Sequence, residues 1–195
     1  DQIIIYFAGH GSPEPDRPDD AFLLVNDTDL NKLVSSALSM QQLPNFLSWR
    51  ANQTGKLIFF VDACHSGHIR FPGSRGVVMS NNNLRSIEEL RAKSINKSLA
   101  NLSGEQQAWA VISSSAADQL SGENSQKCKI GTDTYFGGIF TCALLNAIHN
   151  KTDYNQDGQI SYMELYDAIS EKMLELKSQD QTPQKSGNLK GGTSI

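Results

Sequence analysis

The chain has 195 residues, 38% hydrophobic and 8% aromatic, enough apolar material for one compact domain spanning 1–195 and too little length to call for a second. A net charge of −4 with scattered Lys and Arg gives no basic stripe, so nucleic acid is not an expected partner. No apolar run approaches the roughly 18 residues that span a bilayer, and no basic segment followed by a signal core opens the chain, so no membrane partner is expected either. Cys64, Cys128 and Cys142 form neither a disulfide-dense pattern nor a metal-knuckle spacing, which predicts a reducing, cytoplasmic setting.

Two apolar runs organise the first third of the chain. Residues 3–7 lead into Ala8, Gly9, His10, Gly11 and Ser12, and residues 57–61 lead into Asp62, Ala63, Cys64, His65, Ser66 and Gly67. Continuous runs rich in β-branched and aromatic side chains suit strands buried on both faces of a parallel sheet. Between them, Leu30, Leu33, Val34, Ala37 and Leu38 fall at helical spacing. A second helix is expected around Leu43, Phe46 and Leu47, with Ser39 and Gln42 as a capping box and Pro44 in its first turn. That makes the helical crossover parallel strands require.

Residues 71–105 carry loop chemistry, including Pro72, Gly73, Gly76 and the run Ser80, Asn81, Asn82, Asn83, and predict a mobile linker. Its surroundings hold Arg70, Arg75, Arg85, Arg91, Lys93 and Lys97, which are either cleavage sites for a protease that prefers basic residues or solvated charge. A third strand is read at 108–113. Phe136, Ile139, Phe140, Ala143, Leu144, Ala147 and Ile148 then recur at helical spacing as a core-facing helix, with Cys142 a packed small hydrophobe. Residues 153–164 fill the diagnostic places of an EF-hand loop: Asp153, Asn155 and Asp157, Gly158 at the turn, Gln159 offering a carbonyl, and Glu164 at the twelfth place. Leu165, Tyr166, Ile169 and Met173 continue as an exit helix. Only one such loop is present, so the segment reads either as a calcium site or as a turn with a helix cap. The tail after Leu176 has no periodicity and is expected over the surface.

The chemistry lies at the ends of the first two strands, as parallel sheets place it. A neutral thiol is a weak nucleophile near pH 7 and needs an imidazole beside it. His10 and Cys64 supply that dyad, and the backbone N–H groups of Gly11 and Cys64 can serve an oxyanion. Asp62 lies two residues before the thiol, on the same side by alternation, where its carboxylate would pair with Arg or Lys. The other reading of Asp62 is a cap that orients the turn. Ala8 lines the same floor by the same alternation. Cys64, His65 and His68 lack the paired knuckle of a structural zinc site. The chemistry requires no cofactor.

The paired Gly9-His10-Gly11 and Asp62-Ala63-Cys64-His65-Ser66-Gly67 blocks resemble the caspase-like cysteine peptidases, specifically the metacaspase and bacterial caspase-homologue branch. Cys64 stands 54 positions after His10, in keeping with a caspase histidine about 50 residues upstream. The likeness continues through residues 111–119 and 138–141 to 181–184. It implies an α/β, caspase-like three-layer sandwich with a mostly parallel central sheet, cutting peptide or protein substrates. It implies that Ser113 and Ser114 offer backbone to an extended substrate, that Asp118 helps shape the pocket rim, and that residues 181–184 return toward the active site. It also implies that earlier strand and helix units, on a separate N-terminal chain or domain, belong before the histidine strand. The function expected is an endopeptidase cleaving after Arg or Lys, with self-processing in the linker. The alternatives are a catalytically silent scaffold of the same fold and a calcium-binding regulatory module.

Overall fold

The computed structural model describes residues 2–14, 17–43, 46, 56–64, 109–115, 123–176 and 181–187. The first strand, β1 (Gln2–Glu14), runs past the glycine-flanked histidine and folds back as β2 (Arg17–Leu24), pairing antiparallel from His10↔Leu24 to Glu14↔Arg17. A one-turn helix α1 (Leu33–Ser36), a short strand β3 (Leu38–Ser39) and the long strand β4 (Lys56–Cys64) follow. Next come β5 (Trp109–Ser113) and a hairpin of β6 (Glu123–Ile130) and β7 (Asp133–Gly138). Helices α2 (Ile139–His149) and α3 (Tyr162–Glu175) and the strand β8 (Gln184–Gly187) complete the described elements.

The main sheet has the order β3-β2-β1-β4-β5-β8, and β6-β7 form a separate two-stranded sheet. Its centre, β1-β4-β5, is parallel, while β2, β3 and β8 are antiparallel additions. The expected α/β architecture with a mostly parallel core is therefore present. Residues 57–61 are buried on both faces of the sheet. Their odd-numbered members pack with Ala21, Leu23, Met40 and Leu43, while Ile58 and Phe60 pack with Phe140, Ala143, Leu144, Leu165 and Ile169 of the two long helices. Removing side chains of this size from water stabilises a fold by about 1.5–3 kcal/mol each. In β1 the double burial fails on one face: Ile3, Ile5 and Phe7 join the first cluster, whereas Ile4 and Tyr6 are exposed on the other.

Several local expectations give way to tertiary context. The helix expected over 30–38 is reduced to α1, because the Asp29, Ser35 and Ser36 side chains bond to nearby backbone, the competition that disfavours helix interiors, and Leu38 is drawn into β3. Ser39 does not cap a following helix; its hydroxyl meets the Gln41 side chain, and Leu43 and Phe46 form a helical turn in which Leu43 is buried and Phe46 exposed. Pro44 and Leu47 lie outside the described residues. Helix α2 starts at Ile139, three residues later than its apolar spacing predicts, since Gly138 is extended at the N-cap and Phe136 belongs to β7 with its ring exposed. The tail is not simply a surface coil either, because residues 184–187 add to the edge of β5.

The reading of the cysteines is corrected outright. Cys128 on β6 and Cys142 on α2 form a disulfide with Cα atoms 5.7 Å apart, so Cys142 is not a free packed thiol. The premise that pointed to a reducing compartment falls with it. Among the described residues no helix is long and apolar enough to cross a membrane.

Candidate active site

The parallel ladder between β1 and β4 brings the two sequence blocks together. Its register runs from Gln2↔Lys56 to Ala8↔Asp62 and His10↔Cys64, so the histidine and the cysteine are cross-strand partners at the carboxyl end of the ladder. Adjacent strands lie about 4.8 Å apart, which sets the scale of the separation between these two backbones. His10 is also where β1 passes from pairing with β4 to pairing with β2, and its side chain is exposed. Gly11, the next residue, is buried and opposite Leu23. Cys64 closes β4 through its backbone; its side chain lies outside the described parts of the structure, as do His65, His68, Asp118 and the linker at 71–105. With Cys128 and Cys142 joined, Cys64 is the remaining cysteine of the chain's three.

Alternation along β1 and β4 places positions 6, 8 and 10 and positions 58, 60 and 62 toward the face that carries α2 and α3. Asp62 is only 3% exposed on that face. Its Oδ2 accepts the backbone N–H of Thr141 at 3.2 Å and also the Thr141 hydroxyl. Thr141 sits in the first turn of α2, whose N-cap residue, Gly138, has no side chain to offer. Asp62 therefore caps this helix from a neighbouring strand, satisfying a first-turn donor and setting a carboxylate against the positive end of the helix dipole. Gly138 is needed for the approach, because a Cβ there would collide with the Asp62 carboxylate. The Tyr6 hydroxyl lies 2.7 Å from Thr141 Oγ1. Since Thr141 gives its hydroxyl hydrogen to Asp62, Tyr6 is the donor of that pair.

Ala8 is exposed opposite Asp62, as alternation predicts. Ser113 and Ser114 are buried; Ser113 is paired with Val61 on one side and Gln184 on the other, and Ser114 donates its N–H to the Val61 carbonyl at 2.9 Å. Their backbones are thus engaged in the sheet rather than presented at an edge. Residues 181–184 lead into β8 beside β5, with the Tyr166 hydroxyl donating to the Pro183 carbonyl.

Residues 153–164 form a closed turn. Asp153 accepts the N–H groups of Asp157 and Gly158, Asn155 Oδ1 accepts that of Asp157, and Asp157 accepts that of Gln159. Gly158 takes the left-handed conformation, φ +81°, that the sharp turn requires. Glu164 receives the N–H groups of Asn155 and Ser161, and Ser161 Oγ receives that of Glu164, a full capping box for α3. These donors, Ser161 foremost, hold the Glu164 carboxyl below its ordinary pKa. In this arrangement the carboxylates serve backbone amides, and among the described residues no group of three or more His, Cys, Asp or Glu gathers around a metal-sized point.

Sequence reasoning singled out His10, Cys64 and Asp62, named Gly138 and Thr141 only within the likeness over 138–141, and did not foresee that these two and Tyr6 gather around Asp62. Alternation could have put Tyr6 on the histidine face, but no local signal pairs position 62 with position 141, 79 residues away.

No curated protein matches the chain. The crystal structure of protein GSU0716 from Geobacter sulfurreducens is similar over 96% of this chain and 67% of its own, with 22% identity and a TM-score of 0.51, a likeness of fold. A family model described as the caspase domain matches residues 1–191. On that near-complete match, the chain belongs to the caspase domain family, a family of cysteine peptidases acting on peptide or protein substrates.

Proposed function

We propose that this chain is a cysteine endopeptidase that cleaves after Arg or Lys, with Cys64 as nucleophile and His10 as general acid and base. The observation that carries the reading is the ladder register, in which Ala8↔Asp62 and His10↔Cys64 are register partners two residues apart at the end of β1 and β4. His10 takes the thiol proton, and the Cys64 sulfur adds to the scissile carbonyl. The developing oxyanion is met by the N–H groups of Gly11 and Cys64. Collapse breaks the C–N bond as His10 returns the proton to the leaving amine, and a water activated by His10 then frees the acid from the acyl-enzyme. Asp62 supplies the anion for the basic side chain preceding the scissile bond. Arg70, Arg75, Arg85, Arg91, Lys93 and Lys97 are the bonds the enzyme would cut in itself.

The test is turnover of fluorogenic peptides that carry Arg, Lys or Asp before the scissile bond, with and without calcium. It uses the full protein and the variants Cys64→Ala, His10→Ala and Asp62→Asn. Asparagine keeps an oxygen for capping α2 while removing the charge. The expected result is Arg or Lys turnover abolished in the first two variants and stripped of its basic preference in the third. Turnover after Asp, or a basic preference that survives Asp62→Asn, refutes the specificity; turnover surviving Cys64→Ala refutes the mechanism.

A further inference from the structure

We propose that Thr141 and Tyr6 are positioning residues that orient the Asp62 carboxylate toward a basic substrate side chain, an inference that rests on the reading of Asp62 as the specificity anion. A carboxylate can present an oxygen in the geometry a guanidinium or ammonium needs only if its own torsion is held. Asp62 is buried at 3% exposure, and its Oδ2 is tied to both the N–H and the hydroxyl of Thr141, so one side chain and one peptide group of α2 set the plane of the carboxylate together. Thr141 is β-branched, which restricts its own rotamer, and its oxygen is held in turn by Tyr6 at 2.7 Å.

The order of donation gives the chain a direction: the Tyr6 O–H donates to Thr141, and the Thr141 O–H donates to Asp62. Each hydroxyl is polarised toward the carboxylate. The three residues come from β1, α2 and β4, so the chain crosses three elements on the same sheet face as His10. Tyr6 precedes Ala8 by one step on that face, and Ala8 is the register partner of Asp62. A tyrosine 47% exposed at its place on a sheet needs no hydroxyl for packing. Its bond to Thr141 therefore acts on the Thr141–Asp62 pair more than on the core.

The test compares peptides with Arg or with citrulline, its neutral isostere, before the scissile bond, in the full protein and its variants. Thr141→Val keeps the shape and loses the hydroxyl; the ratio of kcat/KM for Arg over citrulline is expected to fall about tenfold, chiefly through KM for the Arg peptide. Thr141→Ser restores the ratio to within about threefold of wild type, and Tyr6→Phe lowers it by about threefold. Equal losses on both peptides, or an unchanged ratio in Thr141→Val and Tyr6→Phe, overturn the inference and leave Thr141 a helix-capping residue. Tyr6→Phe, at an exposed site, keeps the test decisive if Thr141→Val fails to fold. A wild-type preference for Arg that is lost in Asp62→Asn but untouched in the other variants defeats this inference alone. A wild type without Arg preference defeats the specificity reading beneath it as well.

Discussion

Removing the Cys128–Cys142 disulfide tests the fold most directly. The bridge closes a loop of 14 residues in sequence separation, joining β6 to the first turn of α2. By the chain-entropy argument a loop of this length is worth about 3 kcal/mol at 25 °C. For a chain near 200 residues each kcal/mol moves Tm by about 2–4 °C, so the expected drop is about 6–12 °C. The effect should concentrate on the hairpin, because a two-stranded sheet is marginal by itself and β7 is exposed along most of its length. Asn146 sharpens the point: its side-chain amide donates to the Cys142 carbonyl at 2.9 Å and stands 3.6 Å from the Cys142 sulfur, both within α2, and its 3.7 Å approach to the Cys128 sulfur is the contact that depends on α2 and β6 remaining together.

The assay is thermal unfolding followed by circular dichroism, with and without reductant, for wild type and for Cys128→Ala/Cys142→Ala. Amide hydrogen exchange across residues 123–142 accompanies it. Thiol titration of the unreduced, denatured chain should count one reactive cysteine, and the reduced chain three. Three thiols without reductant would show that the bridge is not formed. A Tm change under 2 °C, with the bridge confirmed, would show that the loop adds little constraint to the unfolded chain.

At Gly138 a Cβ meets the Asp62 carboxylate, whereas at Gly137 it meets nothing within 4 Å. Gly138→Ala should therefore cost about 1–3 kcal/mol by overpacking, and Gly137→Ala should stay within about 0.5 kcal/mol, both read from denaturant unfolding; equal effects would contradict the packing. Tyr154 donates to Glu171 at 2.7 Å, and that bond, ahead of burial, pushes its pKa up to about 12. A raised folded value means the contribution is complete below the unfolded pKa of about 10 and lost as pH climbs toward 12. Wild type should thus exceed Tyr154→Phe in Tm at pH 8, by a small margin at so exposed a site, and the gap should close by pH 12; a gap that widens with pH reverses the sign and refutes the bond. For Glu164 the sign is opposite. Its depressed carboxyl adds stability above the unfolded pKa of about 4.3 and loses it as pH falls through the lower folded value, so the advantage of wild type over Glu164→Gln should be present at pH 6 and vanish in acid, measured by unfolding midpoints across pH.

What could be read from the sequence was whatever is written locally. The run 57–61 announces a strand buried on both faces because each of its side chains is apolar, and the register pairs His10 with Cys64 and Ala8 with Asp62. The capping box of α3 lies within four residues, so Gly158, Ser161 and Glu164 were legible as a turn and a helix start. The failures share a cause. The apolar spacing over 30–38 reads as helix, but Leu38 gains more as the partner of Leu23 in β3 than as a helical residue. Residues 184–187 have no pattern of their own, since an edge strand is defined by the strand it joins. The same holds for the disulfide: neither the count nor the spacing of the cysteines shows that residue 128 on a hairpin faces residue 142 on a helix.

The two readings that the sequence leaves open for Asp62, substrate anion or turn cap, are not rivals in the folded chain. A carboxylate buried to 3% exposure at a strand end has to be hydrogen-bonded to be tolerated there. The first turn of α2 provides that through Thr141, and Gly138 provides the room. The cap is what lets a carboxylate sit on the face it shares with His10 without collapsing the fold, set against the positive end of the helix dipole. One consequence is that Asp62→Ala would strip α2 of a cap while erasing the anion, so its loss of activity would not separate specificity from stability. Asp62→Asn, which can still accept from Thr141, separates them. A second consequence concerns α2 itself. Its first turn holds Asp62 through Thr141 and is joined to β6 through Cys142, so any loosening of the hairpin is transmitted to the helix end that orients the carboxylate.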